Sequence, residues 1–158
     1  MFRIGLGIDV HSFANDRKLI LGGVEIPHTR GLLGHSDADV LTHSIMDALL
    51  GAVAAGDIGK HFPDTDNTYK NISSLILLEK VRKIIKNLQF KIVNIDSVII
   101  VQKPKLLPYI ETMQKKIADV LLIEKDSISI KATTSEYLGF TGREEGIICY
   151  TNALLQKL

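Results

Sequence analysis

Asp9 and His11 stand two residues apart in the run GIDVHS. If this stretch is extended, residues i and i+2 project from the same face, so a carboxylate and an imidazole sit side by side. That pair supplies two ligands of a metal site, or a hydrogen-bonded acid–imidazole pair at the surface. A third ligand is available in GHSDADVLTHSIMD, where Asp39, His43 and Asp47 are spaced by four and fall on one face of a helix. With His43 as ligand, Asp39 or Asp47 would be placed to accept the other ring N–H. Two histidines and one carboxylate form a three-ligand set suited to a catalytic Zn²⁺ with an open position.

Other segments offer chemistry of a softer kind. His35 and Ser36 lie where a helix is predicted to begin, and free N–H groups there favour an anion; Ser36 can equally be a simple cap. GDIGKHFPDTD can hold hydroxyls or merely turn. QKPKLLP places Lys103 and Lys105 in a proline-stiffened loop, either a connector or a frame for the edge of a flat base. In KATTSEYLGFTGREEG, Thr133 and Thr134 can contact phosphate, Glu136 can hold a hard cation against it, and the glycines before Arg143 permit close approach. His28 and His61 read as exposed histidines.

These side chains need a scaffold, and the hydropathy pattern describes one. Strand-like runs RIGLGIDV and KLILGGVEIP open the chain, with Gly22 and Gly23 at a tight hairpin. A helix is predicted from about Asp37 to Ala55, opened by a capping box of Ser36 and Asp39 and stopping near Gly56. A second helix spans Ser74 to Leu88, a third opens at Pro108 and ends near Leu122, and strands KIVNIDSVIIV, SISIKAT and EGIICYTNALL complete the pattern. The alternation predicts an α+β fold, a sheet with helices packed on one face; the uncovered face suggests self-association.

Length and composition agree. The 158 residues suit a single domain, 1–158, burying about 70% of the surface its unfolded chain exposes. The 19 basic and 18 acidic residues are interspersed, which argues against a nucleic-acid face. Cys149 is the lone cysteine, so the expected compartment is reducing and cytoplasmic, and its expected role is a small buried hydrophobe. No apolar run is long enough to span a membrane, and no leader is expected ahead of FRIGLGI.

Taken in order, GIDVH, GGVEIP, GLLGHSDADV, DALLGA, GDIGKHFPDTD, QKPKLLP and KATTSEYLGFTGREEG resemble the 2-C-methyl-D-erythritol 2,4-cyclodiphosphate synthase family over the whole chain. The resemblance implies Zn²⁺ on Asp9, His11 and His43, and a second divalent ion, Mg²⁺ or Mn²⁺, on Glu136. It implies that His35 and Thr134 stabilise the transition state. Substrate contacts would come from Ser36, Asp57, Ile58, Gly59, Phe62 and Asp64, and a cytidine pocket from Val101, Pro104, Lys105, Leu106 and Leu107, with Thr133 at the diphosphate. It further implies a homotrimer with active sites between subunits, the three sheets facing a central channel lined by Phe140 and Arg143.

The activity so implied is a phosphorus–oxygen lyase of the non-mevalonate isoprenoid pathway. It converts 4-diphosphocytidyl-2-C-methyl-D-erythritol 2-phosphate to the cyclic diphosphate and releases CMP. The attacking phosphate oxygen is already anionic, in keeping with a chain that carries no nucleophile motif. The rival reading is a zinc-dependent phosphohydrolase, which would use the same ligands to deliver hydroxide.

Overall fold

The computed structural model describes residues 1–158. Its main sheet has five strands in the order β4-β1-β7-β5-β6, formed by β1 (Phe2–Ala14), β4 (Gly31–Leu32), β5 (Phe90–Ile100), β6 (Ile128–Thr133) and β7 (Gly146–Lys157). Pairing is antiparallel except between β5 and β6, which run parallel. A separate hairpin, β2 (Leu19–Leu21) and β3 (Val24–Ile26), turns at Gly22 and Gly23. Both glycines have positive φ, 56° and 69°, as this two-residue turn requires.

The helices α1 (Val40–Ala52), α3 (Ser74–Asn87) and α4 (Ile110–Leu121) are the long ones, and two single-turn helices, α2 (Ile58–His61) and α5 (Gly139–Gly142), lie in loops. One cluster of 32 buried apolar residues joins the sheet to α1, α3 and α4. On β1 the burial alternates: Gly5 and Gly7 face α1, whereas Ile4, Leu6, Ile8 and Val10 point outward and are 48–73% exposed. Tyr150 of β7 stands opposite Ile8 on the same outer face. The predicted one-sided sheet is thus observed.

The start of α1 differs from expectation. Ala38 adopts a left-handed φ of 57°, which turns the chain and delays the helix. Asp39, not Ser36, is the N-cap: its carboxylate accepts from the Thr42 N–H at 3.0 Å. The helix also stops early, at Ala52. Ala54 takes the left-handed position at φ 57°, and its N–H and that of Ala55 return to Gly51 and Leu50 carbonyls in a Schellman motif that uses alanine where glycine is usual. The third predicted helix begins later than Pro108, which lies in a 3-10 turn leading into α4; the second matches α3 closely.

Candidate metal centre and flanking pockets

Strand β1 presents Asp9 and His11 toward α1, where His43 is buried in the first turn. Three atoms converge. Asp9 Oδ2 lies 3.0 Å from His11 Nε2 and 3.1 Å from His43 Nδ1, and the two ring nitrogens are 3.3 Å apart. Tetrahedral Zn²⁺ with ligands at about 2.0–2.2 Å spaces them by about 3.3 Å, so this triangle fits such an ion. Among the His, Cys, Asp and Glu side chains, this trio forms a metal-competent group.

The His11 nitrogen is presented in the right form. His11 Nδ1 donates to the Leu33 carbonyl at 2.6 Å, and because a carbonyl only accepts, the lone pair is left on Nε2, facing the cluster. Burial works against the His11 charge, but the hydrogen bond and negative charge of Asp9 prevail and raise its pKa. Burial likewise works to raise Asp9, yet the adjoining imidazoles of His11 and His43 hold its pKa below the ordinary value.

The expected partners of the second His43 nitrogen are corrected. Asp39 is wholly buried and spends its carboxylate on the N–H groups of Gly22 at 2.9 Å, Gly23 at 2.7 Å and Thr42, and on the Thr42 hydroxyl at 2.8 Å. Asp47 accepts from the Ile58 N–H at 2.8 Å and so anchors the loop after α1. Helical spacing placed both acids near His43 in projection, but they lean to neighbouring backbone. The His43 Nε2 atom instead meets two hydroxyls, Ser74 Oγ at 2.9 Å and Ser36 Oγ at 3.1 Å. Ser74 was not legible as a site residue, since it enters from α3, 31 positions away.

A cavity of about 570 Å³ opens beside the triangle. His35, Ser36, Ile58, Gly59, Phe62 and Asp64 line it together with Asp9, His11 and His43. Asp57 caps α2 through the Lys60 N–H at 2.9 Å, and Asp66 caps the turn that follows, so the turning function of this loop falls to them. Asp64 is exposed at the cavity. His61 is half-buried and bonds the Ala55 carbonyl at 3.0 Å, and His28 packs against Phe13, so neither is the freely exposed histidine expected.

A second cavity, of about 490 Å³, is lined by Val101, Pro104, Lys105, Leu106, Leu107, Thr133 and Thr134. It shares no lining residue with the first. Glu136 follows it on an exposed loop with φ 53°, and the Thr134 hydroxyl donates to its carboxylate. Phe140 lies on α5, and Arg143 just beyond pairs with Glu145 at 2.7 Å.

A family model described as the YgbB family matches residues 2–156. The chain belongs to this family. Curated relatives called 2-C-methyl-D-erythritol 2,4-cyclodiphosphate synthase include a protein of Agathobacter rectalis, 66% identical over 92% of this chain and 82% of its own. Another, from Bacillus cereus, is 59% identical over 99% of both chains. Among solved structures, a CDP complex of the Plasmodium falciparum IspF superposes with a TM-score of 0.86 at 37% identity, covering 99% of this chain and 96% of that one. The bifunctional IspDF of Campylobacter jejuni gives a TM-score of 0.96 at 43% identity; this chain is fully covered but spans only 43% of that longer protein.

Proposed function

We propose that this chain is a 2-C-methyl-D-erythritol 2,4-cyclodiphosphate synthase acting in non-mevalonate isoprenoid synthesis. The observation that carries the reading is the convergence of Asp9 Oδ2, His11 Nε2 and His43 Nδ1 within 3.0–3.3 Å beside a cavity, in a chain of this family. The substrate class comes from relatives that bear the synthase name and from a neighbour solved with CDP.

In the reaction the 2-phosphate oxygen of 4-diphosphocytidyl-2-C-methyl-D-erythritol 2-phosphate forms a bond to the β-phosphorus of the same molecule. The bond from that phosphorus to the bridging oxygen breaks, and CMP leaves with the electron pair. The catalyst therefore has to fold a highly anionic chain so that attacking and leaving oxygens lie in line, and to neutralise charge. Asp9, His11 and His43 would hold Zn²⁺ and Glu136 would hold Mg²⁺ or Mn²⁺, ions that polarise phosphoryl oxygens as Lewis acids when bound. His35 and Ser36 offer hydrogen bonds to the terminal phosphates from the cavity wall, and Asp64 offers an acceptor for the erythritol hydroxyls. In the second cavity, Lys105 and the apolar Leu106 and Leu107 would grip the cytidine end, and the Thr133 and Thr134 hydroxyls the diphosphate.

The separation of the two cavities supports completion of each site by a neighbouring subunit. The apolar outer face of β1, with Ile4, Leu6, Ile8 and Val10, supports a homotrimer closed around it, with Phe140 and Arg143 at its channel. No helix is long and apolar enough to cross a membrane, and the buried unpaired Cys149 suits the cytoplasm. Phosphorus NMR of the product decides the reaction. A cyclic diphosphate with CMP is expected; acyclic monophosphates would overturn the synthase in favour of the phosphohydrolase, which the comparisons do not favour.

A further inference from the structure

The two hydroxyls at His43 Nε2 are not equivalent: Ser36 Oγ accepts the Ala38 N–H at 3.3 Å and keeps its own proton free, so it can either donate to the ring or accept from it, whereas Ser74 Oγ has no such choice. Ser74 Oγ, wholly buried, has one proton and donates it to Asp37 Oδ1. The Asp37 carboxylate is committed to this arrangement, since it also accepts the Ser74 N–H at 2.9 Å and the Asp39 N–H at 3.2 Å. An ionised carboxylate only accepts, so the Ser74 hydroxyl cannot turn its proton toward the ring. Ser74 Oγ, 2.9 Å from His43 Nε2, is left to accept. A neutral imidazole carries its proton on one nitrogen alone; if Nε2 donates, Nδ1 must present its lone pair to Asp9 and His11.

We propose that Asp37 and Ser74 are a positioning pair that fixes His43 in the Nε2–H tautomer and so sets the strength of the metal centre. The inference rests on the metal reading given above, and it assigns the outer contact of the third ligand to a carboxylate–hydroxyl relay. The same pair ties the ligand to the loop before α3. Asp37 anchors the first turn of that helix through the Ser74 N–H, where its N-cap residue Ser73 makes no side-chain bond. Asp37 N–H in turn bonds the Ile72 carbonyl at 3.1 Å, and the Asn71 N–H bonds the His35 carbonyl at 2.9 Å. Ring orientation and the floor of the cavity are thus set by one set of bonds.

The test uses the full chain with ¹⁵N-labelled histidine, stripped of metal by chelator, at pH 8. Long-range proton–nitrogen correlation is expected to show His43 protonated on Nε2. In Ser74→Ala, and separately in Asp37→Asn, where an amide can donate to Ser74 and free its proton for the ring, a mixture or the opposite tautomer is expected. Competition with a chelator should show Zn²⁺ binding weakened by about ten- to a hundredfold in both. Ser97→Ala removes another fully buried hydroxyl, one that meets Thr151 rather than the ring, and should change neither readout. An unchanged tautomer in both variants overturns the proposal whatever happens to affinity, and so does a changed tautomer with affinity within about twofold of the parent. If the parent chain binds no Zn²⁺, the functional reading fails, while the tautomer measurement still decides this one.

Discussion

Gly7 lies against the carbonyl oxygen of Ser44 so closely that a β-carbon on residue 7 would stand 1.9 Å from it. A β-carbon on residue 5 would stand equally close to the Ala48 carbonyl oxygen, one helical turn on. Strand β1 and helix α1 therefore touch backbone to backbone, and this approach brings His43 within reach of Asp9 and His11. Gly7→Ala should push α1 outward. The expected result is a loss of about 1–3 kcal/mol of stability together with weaker Zn²⁺ binding, read by thermal melting and chelator competition; unchanged binding would mean that the spacing does not set the centre.

His43→Ala should purify folded but zinc-poor. Activity should drop by more than about a hundredfold, because loss of a ligand exceeds the ten- to hundredfold cost of disturbing its outer partners. Metal analysis with a rate assay checks this, and full metal content would refute the ligand assignment.

Glu136→Gln should retain Zn²⁺ and lose most activity at low Mg²⁺, because a neutral amide is the weaker oxygen ligand for a hard cation. Raising Mg²⁺ should recover part of the rate. A variant as active as the parent at low Mg²⁺ counts against a cation at Glu136.

Refolding a His43→Ala chain together with a Glu136→Ala chain should restore activity that neither shows alone. In a ring of three, every trimer containing both types has one interface that joins an intact metal side to an intact nucleotide side, so equal random mixing returns about a quarter of parental sites. A dead mixture, with hybrid trimers verified, would place both sides within one subunit.

Burial pushes the Cys149 thiol up to about 12. The thiolate is the reactive form, and at pH 8, four units below that value, only about one thiol in ten thousand is ionised. Iodoacetamide should leave the native protein unmodified at this pH and label it once denatured. Prompt labelling of the folded chain would show that β7 opens readily.

Asp9 and His11 were legible because a strand repeats every two residues, and His43 because it lies near the start of an apolar helical pattern. The hairpin at Gly22 and Gly23 and the helix from Ser74 were legible for the same local reasons. The partners of His43 were not. A spacing of four directs attention to Asp39 and Asp47, yet their carboxylates are drawn to unpaired N–H groups of Gly22, Gly23, Thr42 and Ile58, which helical projection does not display. Ser74 and Asp37 meet across 37 residues of chain, where the loop before α1 meets the start of α3. The early end of α1 was hidden for a different reason: alanine rarely takes the left-handed turn that Ala54 adopts.

Strand β1 carries its outward isoleucine, leucine and valine stripe and its inward metal ligands on alternate residues of one short stretch, from Ile4 to His11. Parity alone keeps them apart. Deleting or inserting a single residue ahead of Ile8 would exchange the two faces, turning the carboxylate and imidazole out into the apolar stripe and driving branched aliphatic side chains onto α1 where glycines now lie. The count of residues in this segment therefore matters as much as their identity: exchanging isoleucine for valine leaves every side chain on its own face, whereas a change of one in the count moves ligands and aliphatics together.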